Sequence, residues 1–348
     1  MPYVTPKSIQ FGVRIPREFE KDPAISGVRK KFHNQVALSA ILVFIAFIII
    51  PSLFGLYIVA LLSLPVAILF TYLSYYRSFR VIQTIKVNEG WYNKRPEASS
   101  AFYNQDSPHG KLFTGILFIF PALIVLIATI YVGISIYPTL PNILPTHFGT
   151  NGIPNQYAVK SVGTAFSLVF VQIGMTAGMY LLGYVITKTS QIIDVSRPNV
   201  TFEQQERFKF YSRDILYLFT ATIDMTFMFS SFMAWQLIGP QYTFTLTLLP
   251  ILLGTAMVIV VAMSMGQMGS RLNVKEAMNE DTGLSNRNDD KEWKGGVLNY
   301  NKDSSAILVP KRFGVGWTLN FARPTSWLLI VAIIALAVIV VIVVRFIH

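Results

Sequence analysis

Residues 36–76 read VALSAILVFIAFIIIPSLFGLYIVALLSLPVAILFTYLSYY, a run of 41 residues without a charged side chain. The hydrocarbon core of a bilayer is about 30 Å thick, and about 20 apolar residues of α-helix cross it. The run is therefore long enough for two membrane spans. Pro51 and Gly55 lie near its middle, where they favour a tight turn. This stretch predicts a helical hairpin in a membrane.

Five further apolar runs of similar length follow along the chain. They are Leu112–Ile136, Val162–Ile186, Ile215–Ile238, Phe244–Met268 and Trp327–Phe346. Hydrophobic residues make up 53% of the 348 positions and charged residues only 14%, whereas a soluble protein has about 25% charged residues. We therefore predict an all-α integral membrane protein, built as a seven-transmembrane helix bundle.

Lysine and arginine are distributed unevenly among the segments that join these spans. Seven lie in 1–35, six in 77–111, five in 187–214 and nine in 269–326. The other two are Lys160 and Arg345. Because basic segments stay in the cytoplasm, the pattern predicts a cytoplasmic N-terminus and an external C-terminus. The net charge of +11 then reflects topology, and we expect no nucleic-acid partner.

The spans and their connections divide the chain into four predicted parts. These are a cytoplasmic N-terminal segment at 1–35, a six-helix membrane domain at 36–268, a cytoplasmic segment at 269–326 and a seventh transmembrane helix at 327–348. Residues 275–303 are polar and charged, and we expect them to form a solvated loop. Residues 307–320 alternate short apolar stretches with Gly, Lys, Arg and Trp. This pattern favours a small strand pair or an interfacial segment.

The one sizeable external segment is predicted at residues 137–161. It contains four prolines and no acidic residue. Proline restricts its own backbone and that of the residue before it, so we expect a short, structured loop with one extended shape. Two interpretations stay open. The loop is either a structural cap between two spans or a recognition surface, with His147 and Lys160 as its titratable side chains.

The loop resembles the signature of a bacterial membrane family. Its matching residues are Pro145-Thr146-His147-Phe148, then Gly152, Pro154, Tyr157 and Lys160. The family includes the Sdp-type immunity proteins, which protect a cell against its own secreted killing peptide. The resemblance implies that these eight residues bind a ligand. Its usual pattern has acidic residues on both sides of the second proline, and this chain has Ile153 and Asn155 there.

Two other segments resemble regions of longer, uncharacterised relatives of the same proteins. They are Phe11–Pro16 and Trp293–Pro324. The tripeptide Phe11-Gly12-Val13 recurs as Phe313-Gly314-Val315, a match too short to define a repeat. The resemblance as a whole covers about a third of the chain.

The cytoplasmic basic residues have two open interpretations. They serve only to retain loops in the cytoplasm, or some of them also bind anionic lipid headgroups or a cytoplasmic regulator. The candidates for lipid binding are Arg29, Lys30 and Lys31, or Lys311 and Arg312.

One formal charge, Asp224, falls well inside a predicted span. Tyr217, Thr220 and Ser231 lie at helical spacing from it and form a polar stripe. A carboxyl group at that depth is costly and is a candidate functional site. The alternatives are a proton- or cation-sensitive site and a hydrogen-bonded packing residue.

Signatures of catalysis are weak in this chain. It has no cysteine, and its four histidines are scattered along the sequence. It contains no metalloprotease, serine-hydrolase or phosphate-loop motif. We therefore expect no enzyme activity, no cofactor and no metal site.

These observations favour a non-catalytic protein of the bacterial plasma membrane, resembling immunity or signalling proteins that give resistance to secreted antimicrobial peptides. Its expected partners are the lipid bilayer, an extracellular antimicrobial peptide at residues 137–161, and a cytoplasmic regulator or anionic lipid headgroups. The alternative is a secondary transporter, or an ion- or proton-coupled carrier, that uses Asp224.

Overall fold

The computed structural model describes residues 4–55, 57–93, 96–98, 115, 117–149, 152–189, 191–274 and 280–347. The chain is mostly helical, at 64%. The long helices of the described residues are α1 at Pro23–Phe54, α2 at Tyr57–Asn88, α3 at Phe120–Ile136, α4 at Val162–Thr187, α5 at Pro198–Ala234, α6 at Thr243–Met265 and α7 at Pro324–Ile347.

Five of these helices are long and apolar enough to cross a membrane. They are α1, α3, α4, α5 and α6. This confirms the predicted helical membrane class. The helices α2 and α7 coincide with the second and seventh predicted spans.

The first two helices extend well beyond their apolar run. The first begins at Pro23, where the Asp22 side chain caps it by accepting a hydrogen bond of 2.7 Å from the Ala24 N–H. It includes a π-helical turn at Ile45–Ile49 and passes through Pro51. Gly55 follows it, so the break between the two helices lies near the middle of the stretch 36–76, at the second of the two predicted turn residues.

Short strands pair into two-stranded sheets in the described part of the chain. The strands are β1 at Ile9–Gln10, β2 at Val13–Arg14, β3 at Glu97–Ala98, β4 at Ile143–Phe148, β5 at Pro154–Val159, β6 at Ser285–Asn286, β7 at Trp293–Lys294, β8 at Leu298–Asn299, β9 at Leu308–Pro310 and β10 at Trp317–Leu319. The pair β3–β6 is parallel, and β1–β2, β4–β5, β7–β8 and β9–β10 are antiparallel.

The chain divides into two compact units. The first comprises Met1–Tyr103, Ser190–Gln204 and Gly266–Ser326. Its aromatic and aliphatic core is formed by Phe11, Val13, Ile15, Ile25, Phe32, Tyr75, Phe79, Ile82 and Trp91. The core joins β1 and β2 to the N-terminal part of α1 and the C-terminal part of α2.

The second unit comprises Asn104–Thr189, Gln205–Met265 and Trp327–His348. One of its cores lies under the hairpin β4–β5 and contains Leu140, Leu144, Ala165, Val169 and Trp235. Another lies between helices and contains Ile119, Ala122, Tyr217 and Ala221.

The cytoplasmic segment predicted before the last helix is more ordered than expected. The interpretation of residues 275–303 as a solvated loop is wrong for the part around β7 and β8, since Glu292, Trp293 and Asn299 are buried. Residues 275–279 lie outside the described residues. The alternative of a strand pair within 307–320 is the one observed, as β9 and β10.

Candidate functional site

The segment predicted as the external loop forms the hairpin β4–β5. Pro145 lies opposite Tyr157, and His147 lies opposite Gln156, with Thr146 at an irregularity between them. At the far end, Phe148 lies opposite Pro154. The extended geometry that the prolines favour is therefore realised as paired strands.

The turn of this hairpin depends on a glycine. Gly152 has a φ of 77°, a conformation that residues with a Cβ adopt rarely. Its N–H donates to the carbonyl of Gly149, and the Gly149 N–H donates to the carbonyl of Ile153, each at 2.9 Å. Residues 150 and 151 lie outside the described residues. Gly152 thus shapes the backbone and offers no side chain to a ligand.

A buried leucine anchors the hairpin to its own unit. Leu144 packs with Leu140, Ala165 and Val169, and Trp235 completes the core. The indole Nε1 of Trp235 donates to the Ala165 carbonyl at 2.7 Å. The base of the hairpin is therefore fixed by apolar contact and a buried hydrogen bond.

Lys160 is engaged within the loop. Its Nζ donates to the carbonyls of Leu140 at 2.9 Å and Pro138 at 3.3 Å. The ammonium also lies 5.0 Å from the centre of the Tyr137 ring, a cation–π contact. These contacts join the two ends of the loop, so the geometry gives Lys160 a positioning role.

His147 meets one of the two positions at which the chain departs from the family pattern. Its Nδ1 lies 2.5 Å from Oδ1 of Asn155, and both side chains are exposed. An amide oxygen accepts hydrogen bonds, so this contact is made when Nδ1 carries the proton. Asn155 therefore orients the imidazole of His147.

The hairpin presents an apolar face to its surroundings. Val159 is 75% exposed, Ile143 and Tyr157 are 58% exposed, and Ile143 lies directly opposite Val159. Of the other residues predicted to bind, Thr146, Phe148 and Pro154 are half-buried and Pro145 is buried. A partner would therefore meet Tyr157, its aliphatic neighbours and the exposed His147 before it met Pro145, Thr146 or Phe148.

The polar stripe on α5 is buried in the second unit. Asp224 and Thr220 are fully buried, and Tyr217 and Ser231 are almost completely buried. Thr176 on α4 contacts Asp224, with Oγ1 lying 2.9 Å and 3.1 Å from the two carboxyl oxygens. Gln172 Nε2 donates to the Asp224 backbone carbonyl at 3.4 Å.

The stripe residues do not converge on one point. Tyr217 donates its hydroxyl to the Tyr180 carbonyl at 3.2 Å, and its ring stacks on Tyr180. Thr220 donates to the Leu216 carbonyl of its own helix. The Ser231 hydroxyl has no hydrogen-bond partner among the described residues. Only Thr176 and Gln172, which belong to the neighbouring helix α4, contact Asp224 among the described polar side chains.

Hydrogen-bond stoichiometry favours a neutral Asp224. The Thr176 hydroxyl has one proton, yet Oγ1 lies within 2.9 Å of the Gln172 carbonyl as well as of the Asp224 carboxyl. A protonated carboxyl donates to Thr176 Oγ1, which then donates to Gln172. Both protons are thereby used, whereas an ionised carboxylate would be left with at most one donor among the described side chains.

A cluster of ion pairs between buried and half-buried side chains lies in the first unit, and sequence reasoning missed it. Asp289 receives hydrogen bonds from Arg14, whose Nε lies 2.5 Å from Oδ1, and from Arg312. Asp290 accepts hydrogen bonds from Arg312 Nη1 at 2.6 Å and from Lys86 Nζ at 2.5 Å. Four separate parts of the chain thus meet at two adjacent carboxylates.

The backbone at Gly12 completes this ion-pair cluster. Arg312 Nη1 also donates to the Gly12 carbonyl at 2.9 Å. Phe11 and Gly12 have φ of 48° and 80° and form the two-residue turn between β1 and β2. A Cβ on Gly12 would lie 2.5 Å from the Tyr75 hydroxyl and 2.6 Å from the Gly296 carbonyl oxygen. Only glycine fits this approach.

Aromatic rings surround the cluster. The Arg312 guanidinium lies 5.0 Å from the Trp293 ring centre, and the Lys86 ammonium lies 4.4 Å from that of Tyr92. Phe313, the next residue after Arg312, packs on Tyr75 at a centroid distance of 4.2 Å. The tip between β9 and β10 therefore inserts one charged and one aromatic side chain into the unit.

Burial and charge act in opposite directions on the pKa values here. Burial raises the pKa of Asp289, but Arg14 and Arg312 outweigh it and hold that pKa well below its usual range. Burial lowers the pKa of Arg14, but the negative charge of Asp289 raises it by more, so the net shift is upward. Burial also lowers the pKa of Lys86, and Asp290 offsets this only in part. The Asp289 carboxylate is therefore ionised at neutral pH.

Two of the predicted lipid-binding residues are committed to contacts inside the first unit. Arg29 donates to Oε1 of Gln10 at 2.8 Å. Arg312 is 2% exposed and belongs to the ion-pair cluster. The prediction that Arg312 meets lipid headgroups is wrong, because its guanidinium is buried among protein groups. Lys30 and Lys31 are exposed.

Within the described residues, no group of three or more His, Asp or Glu side chains is placed to hold a metal ion.

Two family models match parts of the chain. Residues 123–173 match a domain of unknown function, DUF1648, and this stretch contains the hairpin β4–β5 with parts of α3 and α4. Residues 302–327 match a family of unknown function, DUF5808, and this stretch contains β9, β10 and the tip with Arg312. Comparisons with curated proteins and with solved structures gave no significant match.

Proposed function

We propose that the protein is a non-catalytic plasma-membrane protein that protects a bacterial cell against secreted antimicrobial peptides, or signals their presence. In this proposal seven helices span the membrane, with the N-terminus in the cytoplasm and the C-terminus outside. The hairpin β4–β5 then lies outside the cell and is the first structured element that an extracellular peptide meets.

One observation carries this proposal. The hairpin is held from below by Leu144 and Trp235 and across its ends by Lys160, yet it exposes Ile143, Tyr157 and Val159. A structural cap needs only the anchored side. Exposed aromatic and aliphatic side chains on a rigid support are typical of surfaces that bind an amphipathic partner.

The test compares cells that lack the gene with complemented cells. Both are challenged with membrane-active peptides secreted by the same species and its neighbours. We expect deletion to increase sensitivity to at least one peptide, and complementation with the unaltered gene to restore resistance. Sensitivity that is unchanged across the panel would overturn the proposal.

The role of the hairpin face is tested by the double substitution Ile143→Ser and Tyr157→Ser. We expect the variant to reach the membrane in normal amounts. We expect the peptide concentration that inhibits growth to be at least fourfold lower for cells with this variant than for cells with the unaltered protein. The matched control is Leu298→Ser with Tyr300→Ser, which removes similar side chains that are also exposed, but in the first unit. Equal loss of protection in both variants would argue against a role for the hairpin.

A transporter that uses Asp224 is the second candidate function. A coupling carboxylate must exchange its proton or ion with water, and Asp224 has no exposed surface and is sealed beside Thr176. This geometry supports the packing interpretation of the stripe on α5.

A further inference from the structure

Basic residues on α1 and α2 lie at one height in the first unit. Phe11 contacts Phe32 on α1 at a centroid distance of 5.2 Å and Tyr75 on α2 at 6.2 Å. Phe32 and Tyr75 are therefore level with each other. Lys31 precedes Phe32, and Arg77 follows Tyr75 by two residues, so the two charges share this level.

The count from the turn gives the same result. Gly55 follows α1, and Lys30 lies 25 residues before it, while Arg80 lies 25 residues after it. At 1.5 Å per residue both positions are about 37 Å from the turn. Lys30, Lys31, Arg77 and Arg80 thus form a band, which we call the basic collar, near the ends of the two helices furthest from their turn.

The surface of this hairpin changes in an ordered way toward the collar. Exposed aliphatic residues lie nearer the turn, including Leu38 and Ile41 on α1 and Leu69 on α2. Next come Tyr72 and Tyr76, which are exposed and whose rings lie 6.4 Å apart. Tyrosine is enriched at the boundary between hydrocarbon and headgroups. The collar begins one residue after Tyr76, on the side of the tyrosines away from the turn, which is the side of the lipid phosphates when the hairpin crosses a membrane.

The collar has no counter-charge on its own helices. Residues 23–54 and 57–88 contain no Asp or Glu. The acids that flank the two helices are occupied, since Asp22 caps α1 and Glu89 accepts a hydrogen bond of 2.7 Å from the indole of Trp91.

The collar side chains are exposed, and none of them pairs with a described residue. The contrast with Arg14, Lys86 and Arg312 is sharp, because the same unit pairs all three with Asp289 or Asp290. A fold that neutralises its inner cations leaves the collar charges for a ligand outside the protein.

We propose that the basic collar is a binding site for the phosphate groups of anionic phospholipids in the leaflet on the N-terminal side of the membrane. The four cations supply charge complementarity, the tyrosines fix their depth, and the apolar surface beside them already lies in the same leaflet. The site comprises Lys30 and Lys31 of the predicted headgroup set and adds Arg77 and Arg80. It goes beyond the proposed function and does not depend on it.

The test uses the full chain reconstituted in nanodiscs of phosphatidylcholine, with phosphatidylglycerol added in steps. Native mass spectrometry of the released protein counts the lipids that stay bound. Each basic residue near an anionic lipid surface increases the affinity for that surface about fivefold. For the variant Lys30→Gln, Lys31→Gln, Arg77→Gln and Arg80→Gln we expect retention of phosphatidylglycerol to fall at least tenfold.

The matched control removes the same number of charges from exposed lysines elsewhere in the first unit. It carries Lys21→Gln, Lys291→Gln, Lys294→Gln and Lys302→Gln, and we expect it to retain phosphatidylglycerol as the unaltered protein does. Melting of both variants in phosphatidylcholine alone checks that they are folded. Equal retention by the collar variant and the control would overturn the proposal.

Inorganic phosphate distinguishes a lipid surface from a free anion. We expect 10 mM phosphate at constant ionic strength to leave retention of phosphatidylglycerol unchanged, because the lipid is held by its depth as well as its charge. Displacement of the lipid by phosphate at this concentration would overturn the assignment to a membrane surface.

Discussion

Arg312 donates from Nη1 to Oδ1 of Asp290 over 2.6 Å, and the guanidinium is almost completely buried. The pair links the tip between β9 and β10 to the 3-10 turn at Asp290–Glu292. A buried ion pair contributes little over an apolar replacement of both partners, but removal of one partner leaves the remaining charges of the cluster less completely paired in the interior. The first unit therefore depends on both residues being present.

Substitution Arg312→Met removes this guanidinium and leaves Asp289 and Asp290 with fewer cations. We expect the first unit to lose about 3 kcal/mol of stability, seen as earlier thermal unfolding by tryptophan fluorescence and faster limited proteolysis near residue 290. The control is Lys302→Met, which removes an exposed charge and should change neither measurement. Unaltered melting of the Arg312 variant would show that the cluster does not stabilise the unit.

The pKa of Asp289 sets a pH window for the same contribution. Its folded pKa is held well below the ordinary value of about 3.9 by Arg14 and Arg312. The stabilisation is therefore fully present above about pH 4 and is lost as the pH falls toward the folded pKa. We expect Asp289→Asn to lower the melting temperature at pH 7.

The difference between the two proteins should stay constant from pH 7 to about pH 5, and it should shrink below about pH 4. Melting curves at half-unit steps of pH, in one detergent and at one ionic strength, measure it. A difference that disappears already between pH 7 and pH 5 would contradict a depressed pKa for Asp289.

The helical class of this chain was predictable because each apolar run is a local signal. A stretch such as 36–76 specifies its environment through its own length and composition, without knowledge of any partner. The ends of the helices were less predictable. The first helix begins 13 residues before Val36, since the Asp22 cap and good helix formers such as Arg29 and Lys30 extend it beyond the apolar run.

The ion-pair cluster was not predictable in the same way. Arg14 and Asp289 are 275 residues apart, and both lie in segments whose charges indicate solvent exposure when each is considered alone. One signal was present in the repeated Phe-Gly-Val tripeptides. The two phenylalanines, Phe11 and Phe313, pack on the same side chain, Tyr75. Only the fold shows that these short motifs meet.

The hairpin β4–β5 was predicted as one extended, rigid loop, but the roles of its side chains were not. Its prolines and Gly152 specify backbone geometry locally. Whether a side chain faces a partner or the protein depends on the strand register and on the irregularity near Thr146. Lys160, one of the predicted ligand residues, for this reason proves to hold the loop together.

Substitution Lys160→Met tests this positioning role. The Nζ donates to the Leu140 carbonyl, and the Lys160 N–H donates to the Asn142 carbonyl at 2.8 Å. Without the ammonium we expect backbone amide exchange at residues 140–144 and 158–160 to become about fivefold faster, because a partly exposed hydrogen bond contributes about 1 kcal/mol. Lys160→Arg should preserve most of the protection.

The exposed side chain of Tyr157 provides the comparison for this measurement. Tyr157→Ser should leave amide exchange in the hairpin within twofold, since 58% of the residue is exposed and it anchors nothing below. Equal exchange in the Lys160→Met variant and the unaltered protein would return Lys160 to the set of candidate ligand residues.

The proposed orientation is measurable by thiol labelling, because the chain has no cysteine of its own. A single cysteine at Gln156, which is exposed on β5, should react with a membrane-impermeant maleimide in intact cells. A single cysteine at Lys21, also exposed, should react only after the cells are opened. The asymmetry of basic residues is the physical reason for both expectations. Labelling of the Lys21 position in intact cells would reverse the topology.

Asp224 gives the last prediction, which separates a packing role from a coupling role. In the neutral form its carboxyl donates to Thr176 Oγ1, and an asparagine amide donates to the same atom with nearly the same shape. We therefore expect Asp224→Asn to keep the melting temperature and membrane abundance of the unaltered protein. Asp224→Leu, by contrast, removes the donor, crowds Thr176 and should lower the melting temperature. Protection against peptides should follow stability in both variants. If the Asn variant is stable but loses pH-dependent transport of any solute, Asp224 is a coupling site, because packing alone is indifferent to whether the donor is a carboxyl or an amide.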